Sequence, residues 1–243
     1  MNPQTRRRPK AGALAVLPLV AGLLLSTMEA PQATAAATTV TLGGVRVKVP
    51  DGGRQVVTVN RTAGYHARVV LWRKSHGRWE RVARAKDGRI GYGGLVRSWK
   101  RRQGTGTTPL GTFGLISSFG THPHRAGWNL AYRRIRKGDF WVEDNTSAYY
   151  NRYRNRRQGG FHWRLPESAE NGSERLTDYP TQYEWAIVTS FNRQQVRHRG
   201  AGIFLHVNGS GATAGCVSAP RWFIKKVVRR LAPSYHPVIA IGR

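Results

Sequence analysis

Two side chains in this 243-residue chain have the types and spacing for nucleophilic chemistry. Cys216 is the only cysteine, and His206 lies ten positions before it in "HVNGSGATAGC". A thiol attacks a carbonyl carbon as the thiolate, yet near neutral pH it is mostly protonated. A neighbouring imidazole overcomes this by taking the proton, giving a thiolate–imidazolium pair. Gly209 and Gly211, set among small residues, let the backbone between the two turn back and approach closely. The peptide N–H groups of Gly215 and Cys216 would then face a substrate oxygen as an oxyanion hole. Spacing alone does not separate such a pair from a buried inert thiol, because geometry must bring the two together. A zinc site is disfavoured: one cysteine with His122 and His124 ("THPH") has no usual ligand spacing, and these histidines read as loop residues. No metal and no organic cofactor is expected.

The elements around the pair are legible. "GIFLHV" reads as a strand that ends near His206, and the loop from Asn208 to Ala214 returns the chain to Cys216. "SAPRWFIKKVVRRLAP" has helical periodicity in Phe223, Ile224, Val227, Val228 and Leu231. Ser218 is its expected cap, Pro220 suits its first turn and Pro233 stops it. The positive end of that helix, just past Cys216, would modestly favour a thiolate. Upstream, "RQVVTVN" stopped by Asn60, "HARVVLWRK", and "RWERVARAK" ended by Asp87-Gly88 read as strands at short spacing. "TTVTLGGVRVKVP", "GLISSFG", "EWAIVTSFN" and "PVIAIG" are further β candidates. The expected class is mostly β, with antiparallel pairing rather than βαβ units. The stretch from Trp128 to Asp178 is irregular and reads as a long insertion or lid.

The N-terminus has a basic cluster (Arg6, Arg7, Arg8, Lys10), an apolar run from Ala11 to Leu25, and then Ala-x-Ala sites. That order is a secretory signal peptide, expected over residues 1–35. The apolar run is short for a membrane span of about 20 residues, and Pro18 interrupts it. The formal net charge is +28, and residues 1–35 hold only four basic residues and Glu29 of it. The charge is spread along the chain. Two readings fit: a solvated arginine-rich surface, or attraction to a polyanion such as an anionic wall polymer. No nucleic-acid motif is present, so no nucleic-acid partner is expected. In an exported chain, a lone cysteine either pairs between molecules or stays a reactive thiol.

The motifs together resemble the L,D-transpeptidase catalytic-domain family (YkuD-like). Its His, glycine loop and Ser/Thr-x-Gly-Cys-Val/Ile signature is matched by His206, Gly209, Thr213, Ala214, Gly215, Cys216 and Val217. "GTGTTPLGTFGL" resembles its Thr-Pro-x-Gly-x-Phe segment at Thr108, Pro109, Gly111 and Phe113. "FWVEDNTSAYYN" and "SERLTDYPTQYEWAIVTSFN" resemble intermediate segments of one branch. The resemblance covers most of residues 54–243, which would be the catalytic domain, with residues 36–53 an N-terminal segment before it. It implies a mostly β, sandwich-like fold, with one helix after the catalytic cysteine and a long irregular insertion. It also implies acyl transfer on peptidoglycan stem peptides. Cys216 would form a thioester, His206 would be base and then acid, and Gly215 would hold the oxyanion. An amine acceptor gives a cross-link; water gives L,D-carboxypeptidase activity. In the family a backbone carbonyl or small polar group orients the histidine, and Asn208, Gly209 and Ser210 are the local candidates.

The sequence departs from the commonest signature at Ala214, often histidine, and at Ser218, often an arginine suited to the donor carboxylate. Arg199 is one alternative for that carboxylate, or a solvated surface charge. Thr213, Asn208, Ser210, Tyr149 and Trp141 are candidate substrate contacts; Tyr150 shares the choice between groove and core. Asp144 and Asn151 would bind a zwitterionic stem or serve turns. The expected product is a secreted monomer at the cell wall or extracytoplasmic face, organising the wall. A catalytically silent cationic wall-binding module is the alternative of a different class.

Overall fold

A computed structural model describes residues 37–243; the expected signal segment, residues 1–35, lies outside the described residues. β1 (Thr38–Leu42) and β2 (Val45–Val49) form a hairpin. β2 alternates valine with basic residues and buries only the valines, as a strand with one wet face does. β3 (Gln55–Ala63), β4 (His66–Ser75) and β5 (Arg78–Arg89) form an antiparallel meander. β6 (Leu95–Arg97) leads to the long β7 (Thr108–Gly120). The irregular stretch holds β8 (Tyr132–Arg134), β9 (Asp139–Trp141), β10 (Tyr153–Asn155) and β11 (Glu174–Arg175). β12 (Ala186–Thr189), β13 (Phe204–Val207) and β14 (Val217–Ala219) follow, then α1 (Arg221–Val228) and β15 (Val238–Gly242).

The fold is mostly β with one α-helix among the described residues. The main sheet runs β12-β13-β14-β5-β4-β3-β15-β7, and β7 also pairs with β12, so the path closes on itself. β7 makes this possible by its length: Gly111 to Gly114 pair with β15, and Leu115 to Phe119 pair with β12. The sandwich-like expectation is thus met by one sheet rolled over a shared core. That core joins Val57, Val69, Ile187, Leu205 and Val217 to Phe223, Ile224, Val227 and Val228 of α1. Each such buried side chain contributes about 1.5–3 kcal/mol.

Several local expectations change. Pairing is mixed, because β13–β14, β3–β15, β6–β7 and β7–β8 are parallel. β3 continues past Asn60 to Ala63. Asp87-Gly88 does not end its strand; the β4–β5 register slips between Ala67 and Val69 there, and a bulge absorbs the turn signal. The helix begins only at Arg221, with Pro220 at its N-cap position. Ser218 lies in β14 instead of capping it, so Cys216 is a whole strand away from the helix dipole. The Trp128–Asp178 stretch carries its own small sheet, β10-β9-β11, and a cluster of Phe140, Val142 and Phe161.

Candidate functional site

The parallel pairing of β13 and β14 sets Leu205 against Val217 and His206 against Ser218. Cys216, one residue before β14, therefore falls beside Phe204. Its Sγ accepts the Phe204 N–H at 3.3 Å and donates to the Gly202 carbonyl at 3.0 Å. His206 is buried, and its Nδ1 lies 2.7 Å from the Val207 carbonyl. A carbonyl only accepts, so Nδ1 carries the proton and Nε2 keeps its lone pair. The orienting group is thus Val207 O, not Asn208, Gly209 or Ser210. Among the described residues no hydrogen bond joins Cys216 to His206, but both open on one cavity of about 740 Å³.

Burial governs the charge of both groups. It lowers the His206 pKa to about 4, against a smaller upward pull from Val207 O. It raises the Cys216 thiol above the ordinary range; Glu174 adds to this, while the Phe204 N–H and Arg101 oppose it. The resting state is therefore neutral thiol with neutral imidazole, not the ion pair expected from residue types.

Threonines fix the turn that presents the thiol. Thr108 Oγ1 donates to the Gly215 carbonyl at 2.7 Å and accepts the Gly91 N–H at 2.8 Å. Thr213 Oγ1 donates to the Cys216 carbonyl at 2.6 Å and accepts the Gly215 N–H at 3.2 Å. An oxyanion would have to compete with Thr213 for that Gly215 N–H. Position 215 requires glycine: φ is +135°, and a Cβ would lie 2.7 Å from Arg101 Nη2 and 3.0 Å from the Thr107 carbonyl. Arg89 Nη1 donates to the carbonyls of Gly209 (2.6 Å) and Gly211 (3.2 Å), securing the loop. Asn208 accepts from Ser218 Oγ at 2.7 Å and donates to the Asp87 carbonyl, outside the cavity wall.

The cavity brings together Cys216, His206, Thr213 and Ser210 of the expected site residues. Trp141 and Tyr149 do not line it. Trp141 is buried against Phe119 and Phe204, with its indole N–H on Asn151 Oδ1 at 2.9 Å. Tyr150 is buried in the same cluster. Tyr149 is exposed and stacks under the Arg154 guanidinium. Asn151 and Asp144 serve turns: Asn151 donates to the Phe191 and Asn192 carbonyls, and Asp144 accepts from Thr146 and the His162 N–H. His122 meets Glu184 at 2.7 Å, and His124 meets the Trp128 carbonyl at 3.0 Å.

The same cavity exposes charged groups that the motifs did not reveal. Arg101 is only 4% exposed; its Nε donates to the Thr107 carbonyl at 2.7 Å and Nη1 to the Arg199 carbonyl at 3.1 Å. Arg199 therefore serves through its backbone. Glu143, Glu167 and Glu174 line the same cavity. Tyr183 donates to Glu174 and sets its ring edge-on to His206, with centroids 5.5 Å apart. Burial pushes the Glu143 carboxyl up to about 7, with Arg101 opposing, and pushes Glu174 well above its ordinary value. The scarcity of acids in the sequence was the available signal: of only 12 Asp and Glu, these three fall in the irregular stretch.

A thiol, an imidazole whose Nε2 has no hydrogen-bond partner among the described residues, and a buried guanidinium thus open on one cavity, group types that nucleophilic chemistry can use. No family model matches the chain, and no curated protein matches it. Among solved structures it is similar to Bd1075 of Bdellovibrio bacteriovorus, at 14% identity and a TM-score of 0.38 over 78% of this chain and 47% of that one. It is also similar to an L,D-transpeptidase from Mycobacterium smegmatis, at 13% identity and a TM-score of 0.38 over 86% and 68%. The chain thus spans about half the length of the Bdellovibrio protein.

Proposed function

We propose that the chain is an exported cysteine acyltransferase acting on peptidoglycan stem peptides, with L,D-transpeptidase chemistry. The observation that carries this reading is the shared cavity of Cys216 and His206, with the imidazole tautomer fixed by Val207 so that Nε2 is the available base. The Cys216 S–H leaves the Gly202 carbonyl and passes its proton to Nε2 as sulfur bonds to the donor carbonyl carbon. Neutral partners suit this step, because proton transfer and attack then occur together without a preformed ion pair in a desolvated site. The Cys216 N–H would take up the oxyanion charge, with Gly215 N–H joining it once released from Thr213. His206 then protonates the leaving amine, and a thioester remains. An acceptor amine resolves it to a new amide; water resolves it to a carboxylate.

The basic surface supports residence in an anionic envelope, and the basic cluster before the Ala11–Leu25 run supports export. The test is product analysis by mass spectrometry, using a tetrapeptide stem with and without an amine acceptor. A joined peptide that appears only with the acceptor, and is absent with Cys216→Ala, supports transfer. A trimmed tripeptide alone would assign hydrolysis, and no product with a folded protein would contradict the reading.

A further inference from the structure

A second cavity, of about 470 Å³, lies along the β7–β12 pair and shares no lining residue with the cavity of Cys216 and His206. Three arginines reach it from three separate elements. β8 runs parallel to β7 and sets Arg133 beside Phe119. Arg152 precedes β10, and Arg193 follows β12. None of the three is in an ion pair, and no Asp or Glu lines this cavity among the described residues.

An unpaired arginine is ordinary in a chain with 40 Lys and Arg against 12 Asp and Glu; three that converge on one hollow are not. Arg152 is held in place, with Nη1 on the Asn151 carbonyl and Nη2 on the Arg193 carbonyl, both at 2.9 Å. Burial holds its guanidinium below the ordinary pKa, and the charge of Arg193 lowers it further. The Arg133 guanidinium lies over the Tyr153 ring, 5.2 Å from its centroid. Gathering like charges in a partly desolvated hollow costs free energy, and a bound anion relieves that cost. Between the arginines lie the Ser117 hydroxyl, which has no hydrogen-bond partner among the described residues, and the half-buried rings of Tyr132 and Tyr153.

We propose that this cavity is a binding site for a linear polyanion of the phosphodiester class with polyol spacers. A phosphodiester carries one negative charge per repeat and two free oxygens, the fork that a guanidinium grips. Cations spread around one rim from three elements match charges repeated along a chain better than one compact anion. The Ser117 hydroxyl and the two tyrosine rings match a hydroxylated spacer with C–H faces. The site stands apart from the acyl-transfer reading, yet it adjoins the thiol in the sheet. Val188 in its wall pairs with Phe204, whose N–H meets the Cys216 Sγ, so the polymer binds one strand away from the strand that flanks Cys216.

Isothermal titration calorimetry of the full chain in about 0.15 M salt tests the site, at an ionic strength where diffuse attraction is screened beyond about 8 Å. The probes are a synthetic glycerol-phosphate tetramer, a glutamate tetramer of the same backbone charge, and phosphatidylglycerol vesicles. Two double variants are compared. Arg133→Gln with Arg193→Gln removes two cavity cations whose side chains make no hydrogen bond among the described residues, which spares the fold. Arg78→Gln with Arg84→Gln removes the same charge from exposed positions of β5. The glycerol-phosphate tetramer should bind the wild-type chain more tightly than the glutamate tetramer does. Its affinity should fall at least ~10-fold in the cavity variant, the yield of lost charge-assisted bonds, and less than ~3-fold in the β5 variant. The single change Arg193→Gln repeats the comparison at one exposed side chain. Equal losses in the two double variants would assign the binding to diffuse surface charge and overturn the site. No binding, or glutamate binding as tight as glycerol phosphate, would overturn the ligand. Vesicles bound in preference to the tetramer, with the same dependence on Arg133 and Arg193, would replace the polymer by a membrane surface.

Discussion

Replacing Glu143 by glutamine should change the dependence of stability on pH in a direction the cavity dictates. Burial lifts the carboxyl from 4.5 to about 7 in the folded chain, only partly offset by Arg101. A carboxyl with a higher pKa folded than unfolded binds its proton more tightly in the folded state. Wild-type stability therefore falls as pH rises through 4.5, and the loss is complete above about 7. That interval corresponds to about 3 kcal/mol at 1.36 kcal/mol per pH unit. Most of it is incurred between pH 5 and pH 8, and water in the open cavity screens part, leaving about 2 kcal/mol. Glutamine keeps the shape without the charge. Glu143→Gln should thus gain about 2 kcal/mol on wild type between pH 5 and pH 8, or roughly 4–8 °C in Tm for a domain of this size. Urea unfolding of both proteins at the two pH values, read by tryptophan fluorescence, measures it. Parallel stability curves, or a variant that loses ground at pH 8, would refute a desolvated carboxylate at this position.

Three further outcomes follow from the same geometry. Alkylation of Cys216 by iodoacetamide should be slow at pH 8 and rise about tenfold per pH unit to about pH 10 without a plateau, because burial holds the thiol above its ordinary range; an inflection near pH 7 would mean a preformed ion pair. Thr108→Val removes the bonds to the Gly215 carbonyl and the Gly91 N–H, and should cost about 1–3 kcal/mol in denaturant unfolding, with Thr108→Ser restoring most of it. Retention on isolated cell walls should fall steeply between 0.1 M and 1 M salt, since screening shortens from about 10 Å to about 3 Å; retention indifferent to salt would assign the +28 charge to solubility alone.

The parts legible in the sequence were those that chain-local signals specify. The strands around His206, the turn before Cys216 and the apolar face of α1 follow from alternation, glycine placement and helical period. Boundaries were less legible where tertiary pairing overrode a local signal. Asp87-Gly88 looks like a turn but is held in the ladder as a bulge, and Ser218 looks like a cap but is taken by β14. Arg101 was illegible for a different reason: among 40 Lys and Arg, nothing local marks the one that folds between Gly200 and Gly215. Glu143 and Glu174 come from the irregular stretch and meet Cys216 only through the tertiary fold. Trp141 and Tyr149 were plausible groove residues by type, yet one is spent in the aromatic cluster and the other faces solvent. Residue types also suggested an ion pair at Cys216 and His206, and the desolvation that makes both neutral appears only when the core around them is assembled.

The central claim is that Cys216 is an acylated nucleophile with His206 as its base. Intact-mass analysis of the full chain with a tetrapeptide stem or a carbapenem-type acylating agent, beside Cys216→Ala and His206→Ala, tests it most directly. The account predicts one covalent adduct on Cys216, none with Cys216→Ala, and formation slowed about 10²–10⁴-fold with His206→Ala. No adduct on a folded wild-type chain, or an adduct that survives Cys216→Ala, would contradict it.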